Sequence, residues 1–334
     1  MRQYQAVEET GMSINKKIRH IENTIVLSPS FKQAIAMIRE CHERSKLTTE
    51  PKCMLLIGNT GYGKTTIANH YVGQYARVVS KDGTTVPVFY SMIPSNATIK
   101  GLACRLLEDL GDPLYDRGTT INMTSRLCRL IKECKVELII LDEFQHLIDR
   151  DSDRVLRSTA DWLKDVLNRT KVPIVLMGMP NANSILTVNP QLMRRFANIC
   201  ELKAFNWNPV KERDDFLRFL IMIEKATFFP QPSILHSNEI ALRIFCATKG
   251  VVSYIKKLIS KAAEIAYVKN LDRVTTEALA LAYNDELALS NTMSNPFLVD
   301  HENLNIPSLE QSFHNSSDAA RHGGKRRVAE ILRR

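Results

Sequence analysis

The apolar residues of this 334-residue chain fall into runs of two kinds. Short uninterrupted blocks, clearest in Cys53-Met54-Leu55-Leu56-Ile57 and Leu138-Ile139-Ile140-Leu141, have the length and continuity of strands buried on both faces. Strands are predicted over 53–57, 86–92, 137–142, 172–178 and 198–203. Between them apolar positions recur at helical spacing, which predicts helices over 64–76, 98–110, 121–133 and 153–168. Regular alternation of strand and helix implies an α/β domain, a parallel sheet covered by helices on both faces. From about residue 209 only the helical period remains, in 209–226, 236–247, 251–269 and 275–289, which predicts a small α-helical second domain. Upstream, Phe31, Ala34, Ile35, Ile38 and Cys41 share one helical face behind the start signal Ser28-Pro29-Ser30. The expected organisation is a helical lead over 1–50, a nucleotide-binding domain over 51–207, a helical lid over 208–290 and a flexible basic tail over 291–334. Within that tail a short terminal helix is expected at Arg327–Arg333.

The junction after the first strand carries chemistry. Gly58-Asn59-Thr60-Gly61-Tyr62-Gly63-Lys64-Thr65 is a complete phosphate-binding loop between a buried strand and a helix. Its glycines let successive backbone N–H groups turn toward phosphate oxygens, contributed by Asn59, Thr60, Gly61, Tyr62, Gly63, Lys64, Thr65 and Thr66. Lys64 adds a positive charge for the β- and γ-phosphates, and the Thr65 hydroxyl is placed to ligate Mg²⁺. These features imply binding of a nucleoside triphosphate.

The third predicted strand ends in Asp142-Glu143. A carboxylate at a strand tip beside the phosphate loop holds hydrated magnesium, the role assigned to Asp142; an adjacent glutamate orients and deprotonates water, the role assigned to Glu143. An acidic pair of this kind favours hydrolysis over phosphoryl transfer to a second substrate.

Composition narrows the class without changing it. Hydrophobic residues make up 44% and charged residues 24%, as in globular proteins. No apolar stretch approaches a membrane span, and Met1-Arg2-Gln3-Tyr4-Gln5 lacks the apolar core of a secretory signal, so a cytoplasmic location is expected. The seven cysteines show no Cys-x-x-Cys pair and several lie in apolar runs, which makes them small core hydrophobes rather than metal ligands. A formal charge of +9 is compatible with a polyanionic partner. Its basic runs, Lys16-Lys17-Ile18-Arg19-His20 and the terminal Arg321, Lys325, Arg326, Arg327, Arg333 and Arg334, read in isolation as solvated faces.

A sheet domain with these two motifs and a helical second domain resembles the AAA+ ATPases. The stretch Val86-Pro87-Val88, Pro94-x-x-x-Thr98-x-Lys100-Gly101-Leu102 and Leu110-Gly111-Asp112-Pro113 is similar to the TniB/TnsC family of transposition regulators. So are Leu141-Asp142-Glu143-Phe144-Gln145-His146 and Gly178-Met179-Pro180, over roughly residues 20–285. The resemblance implies ATP-driven, head-to-tail assembly into rings or helical filaments on double-stranded DNA, with a transposase and a target-selector protein as partners. It also implies that a neighbour donates an arginine to each ATP site: Arg195, or in its place Arg194, lies where such a finger belongs. Lys100, Arg117 and Thr119 are the positions it implies for contact with the DNA backbone. Polar sensing of nucleotide falls to Asn181 or Asn183; in the helical domain no arginine stands at the sensing position, which leaves Lys256 or Lys257 as substitutes or sensing through packing alone. Two other roles share these motifs, a helicase loader or replication initiator and an ATP-gated assembly switch without DNA.

Overall fold

The computed structural model describes residues 13–307 apart from 49, 82, 96, 149–152, 289–293 and 305. The basic cluster from Arg321 and the helix expected at Arg327–Arg333 lie outside the described residues. The chain divides into two compact units, one formed by Leu27–Lys203 and the other by Met1–Val26 with Ala204–Arg334.

The first described helix, α1 (Ile14–Asn23), belongs to the second unit, and α2 (Pro29–Ser45) belongs to the first. The sheet unit continues with β1 (Met54–Ile57), α3 (Lys64–Val72) and a small hairpin of β2 (Val78–Ser80) and β3 (Gly83–Thr85). It runs on through β4 (Val88–Met92), α4 (Ile99–Leu110), α5 (Thr120–Glu133) and β5 (Leu138–Asp142). After β5 come α6 (Gln145–Ile148), α7 (Asp153–Thr170), β6 (Ile174–Gly178), a 3₁₀ turn (Pro180–Asn183), α8 (Ser184–Thr187), α9 (Pro190–Arg195) and β7 (Asn198–Glu201). The main sheet is parallel, in the order β4-β5-β6-β1-β7.

Both faces of this sheet are covered, which explains its continuous apolar runs. Leu55 and Ile57 of β1, Ile139 and Leu141 of β5, and Ile174 and Leu176 of β6 face one core together with Leu102, Leu106, Leu127 and Leu163 of α4, α5 and α7. The alternating residues Met54, Leu56, Leu138, Ile140, Val175 and Met177 face a second core with Phe31, Ile38, Ile67 and Tyr71 of α2 and α3. Helix α2 starts where its sequence predicts, because the Ser28 hydroxyl accepts from Phe31 N (3.3 Å) and Pro29 occupies the first turn. The five predicted strands all form, each a little shorter at its ends. The hairpin of β2 and β3 and the short helices after β5 and β6 carried no periodic signal.

The helical unit consists of α1, α10 (Val210–Lys225), α11 (Asn238–Thr248), α12 (Val252–Val268) and α13 (Thr276–Glu286) around a core of their own that includes Ile21, Phe216, Phe245, Ile259 and Tyr283. Residues expected as one N-terminal lead are thus shared between the units, since Ile21 joins the helical core and Phe31 the sheet core. Part of the expected tail is packed as well. Phe297 is buried in the helical core, and the buried Arg243 donates to Pro296 O (2.7 Å) and Val299 O (2.8 Å).

Candidate nucleotide site

The phosphate loop leaves β1 at its carboxyl end, where Gly58 N donates to Gly178 O of β6 (3.1 Å). Gly61 and Gly63 take φ values of +84° and +94°, the left-handed region that curls the loop. A Cβ on Gly63 would meet nothing within 4 Å, so glycine is needed there for its backbone and not for space. Gly63 is also the N-cap of α3 and places no side chain over its first turn, which leaves those N–H groups directed at an anion.

Lys64 is buried at 5% exposure, and its Nζ donates to Gly58 O (2.7 Å) and Asn59 O (3.2 Å). Burial pushes its pKa down, and the carboxylates of Glu143 and Asp142 act against that shift. The ammonium is held inside its own loop, at the position a β- or γ-phosphate would share. Thr65 Oγ1 donates to Asp142 Oδ2 at 2.6 Å. Asp142, fully buried at the end of β5, also accepts from Tyr90 OH (3.3 Å) through Oδ2 and from Glu143 N (2.8 Å) through Oδ1. The structure therefore brings together Lys64-Thr65 and Asp142-Glu143, two adjacent pairs separated by 77 positions between Thr65 and Asp142. Asn59, Thr60, Tyr62 and Thr66 lie on the same loop and first helical turn, with Asn59 Nδ2 donating to Tyr62 OH (3.5 Å).

Two neighbours of this group carried no chemical assignment in the sequence. Tyr90 sits on β4 opposite Ile140, two positions short of the Met92–Asp142 pair, and burial followed by the Asp142 carboxylate raises its pKa. A tyrosine inside a buried strand was the available signal. Gln145, nearly buried, donates to Glu143 and accepts from Met179 N.

Arg195 lies elsewhere. Its carbonyl accepts from Cys53 N (2.7 Å) at the amino end of β1, about 16 Å along the strand from Gly58 at roughly 3.3 Å per residue. Its Nη2 donates to Asn168 Oδ1 (2.8 Å), and Arg194 beside it is exposed. Neither arginine reaches its own phosphate loop. Asn181 and Asn183 lie in the 3₁₀ turn after β6. Lys256 donates to Glu22 O and Lys257 pairs with Glu286 (2.7 Å), both within the helical unit.

The DNA-contact candidates lie on α4, at the start of α5 and in the turn before it. The final carbonyls of α4, Asp109 and Leu110, accept from Arg77 (2.9 Å each), and Cys134 caps the end of α5. Cys134 O in turn accepts from Val86 N, just ahead of β4 (2.8 Å). Helix α5 thus ends where β4 begins, whereas Asp109 in the last turn of α4 accepts from Ser91, next to the carboxyl end of β4 (2.7 Å). Lys100 is exposed in the first turn of α4, whose N-cap Thr98 accepts from Gly101 N (3.1 Å). Thr119 caps α5 by accepting from Asn122 N (3.3 Å), and Arg117 is exposed in the turn before it.

Among the described residues no group of three or more His, Cys, Asp or Glu is arranged for a metal, and no helix is long and apolar enough to cross a membrane. All seven cysteines are free thiols, and six are buried.

A model of the family described as bacterial TniB protein matches residues 17–207. No curated protein matches the chain. Among solved structures, the Aeropyrum pernix ORC2 protein, in ADPNP–ADP complexes, is similar with a TM-score of 0.60 and 16% identity over 80% of this chain and 71% of that one. Cdc6p from Pyrobaculum aerophilum is similar with a TM-score of 0.59 and 16% identity, over 78% and 68%. The Aeropyrum pernix ORC1 protein in complex with DNA gives 0.56 and 17%, over 79% and 66%. At such identities the likeness establishes the fold, that of the AAA+ proteins.

Proposed function

This chain belongs to the TniB family of AAA+ ATPases, and from that premise we propose that it is an ATP-hydrolysing regulator of transposition. In this reading it assembles head to tail on double-stranded DNA and recruits or activates a transposase there. The observation that carries the reading is the approach of Thr65 Oγ1 to Asp142 Oδ2, 2.6 Å apart, with Glu143 next in the chain. A hydroxyl and a carboxylate converging beside a phosphate loop form an oxygen donor set suited to a hard divalent cation, so the residues fit magnesium. When bound, magnesium neutralises charge on the β- and γ-phosphates. Lys64 and the N–H groups at the start of α3 hold the phosphates. Glu143 orients the attacking water and takes its proton. Arg195, turned away from its own loop, serves the site of a neighbouring subunit.

For DNA, the helix N-termini at Lys100 and Thr119 supply a lysine charge with hydroxyl and backbone donors, chemistry that tracks phosphates without reading sequence. The helical unit acts as the lid, the sheet unit as the nucleotide-binding domain. Electron microscopy with duplex DNA and a non-hydrolysable ATP analogue tests the proposal. Rings or helical filaments are expected with the wild-type chain and none with Lys64→Ala. Analogue binding without DNA-dependent assembly would favour an assembly switch that has no DNA role. Retention of a purified transposase on those assemblies separates the reading from a helicase loader.

A further inference from the structure

The side-chain amide of Gln145 lies where the ends of β5 and β6 meet, and its orientation is fixed by its partners. Met179 N donates to Gln145 Oε1 (3.1 Å). A backbone N–H only donates, so the amide oxygen must face Met179 and the NH₂ group must point away from it. On that side Nε2 donates to Glu143 Oε2. Gln145 is 3% exposed, so breaking either bond leaves a polar group without water. The strand end is shaped to admit the amide: a Cβ on Gly178 would sit 2.8 Å from Gln145 Oε1 and 3.2 Å from Ala182 Cβ. Glu143 itself has a φ of +57°, uncommon for a residue with a side chain, and its carbonyl accepts from His146 N (3.0 Å).

We propose that Gln145 is a positioning residue for ATP hydrolysis, holding the Glu143 carboxylate in its working orientation and tying it to the end of β6. The inference rests on the hydrolytic reading above. With Oε2 occupied by the Gln145 N–H, Glu143 Oε1 is the oxygen that takes the proton as the water oxygen bonds to the γ-phosphorus and the bond from that phosphorus to the β–γ bridging oxygen breaks, releasing ADP and phosphate. The tie to Met179 links that carboxylate, through Gln145, to the residue just ahead of the turn Pro180–Asn183.

Gln145→Met keeps the length of the side chain and removes the amide. Its kcat for ATP is expected to fall about 10- to 100-fold, the scale of a small misplacement of a reacting group. KM, and the affinity for a fluorescent ATP analogue measured by titration, are expected to stay at wild-type values, because Lys64, Thr65 and Asp142 are untouched. In a Glu143→Gln background the same change is expected to cost nothing further, since Gln145 acts only through Glu143. Gly178→Ala disturbs the amide from the other side and decides the matter if Gln145→Met does not fold. Wild-type kcat in the two single variants alongside an inactive Glu143→Gln would overturn the positioning role and leave the hydrolytic reading standing. So would loss of analogue affinity in proportion to kcat, which marks a merely structural residue. Wild-type turnover by Glu143→Gln would instead assign the base to another residue and overturn the positioning role with it.

Discussion

Arg195 offers the sharpest test of assembly, because its place in the fold forbids one explanation of its effect. Its backbone is anchored at the amino end of β1, about 16 Å from the phosphate loop at the carboxyl end. Arg195→Ala keeps that backbone bond and loses the guanidinium contact to Asn168 (2.8 Å), a change worth about 1 kcal/mol of stability. The variant should therefore fold and bind ATP. If the guanidinium completes a neighbour's site, its loss should lower turnover about 10³-fold, or roughly 4 kcal/mol in the barrier. Lys64→Ala subunits do not assemble by themselves, since they lack a working loop, but they retain Arg195 and can present it to the ATP-filled loop of an Arg195→Ala neighbour. In an equal, random mixture of the two variants, about a quarter of the junctions join an intact loop to an intact arginine. Turnover should rise from the parental background to about a quarter of the wild-type rate. Steady-state ATPase assays on such mixtures, with co-assembly verified by size-exclusion chromatography, read this directly. Mixtures that co-assemble and remain as inactive as both parents would refute the assignment of Arg195. The same complementation by the exposed Arg194→Ala would transfer the role to its neighbour.

Glu143→Gln is expected to bind ATP and remain assembled on DNA while hydrolysing it orders of magnitude more slowly, as seen by single-turnover assay and electron microscopy. Lys100→Ala and Thr119→Ala should each weaken binding about equally on unrelated duplexes, and the lysine change should also flatten the salt dependence measured by fluorescence anisotropy. Truncation after Pro307 should leave that binding in place, whereas its loss on truncation would make the basic tail the DNA-binding element. Phe297→Ala should cost about 3 kcal/mol in urea titration, since the ring is buried in the helical core. His42, fully buried between Tyr71 OH (3.0 Å) and Glu137 Oε2 (3.0 Å), has its pKa lowered from 6.5, chiefly by burial. A depressed histidine favours the folded state above 6.5 and loses that contribution as pH falls, so Tm should drop as pH falls below 6.5 and the drop should flatten in His42→Gln.

Local chemistry made much of this protein legible in its sequence. A parallel sheet buried on both faces needs strands without alternation, and the run Cys53–Ile57 could be read as one with no knowledge of its partners. The phosphate loop is legible for a similar reason. Its glycine conformations, its lysine and the following helix are all set within a few residues of chain. Asp142 and Glu143 stood out as a candidate pair because they end an apolar strand in a chain that also carries such a loop, and the Thr65–Asp142 bond sets Asp142 beside it (2.6 Å). What the tertiary structure decided involves residues whose role exists only across long sequence separations. Tyr90 reaches Asp142 because β4 and β5 are paired in register, and Gln145 reaches Met179 because β5 and β6 are. The division of the N-terminal residues was equally hidden, since Ile21 and Phe31 both sit on amphipathic helices and periodicity does not say which core each face will find. Phe297 looked like part of a loop-rich tail until the buried Arg243 and the helical core gave it partners. Periodicity and motifs record what a segment needs, and only the packed chain determines which distant segment supplies it.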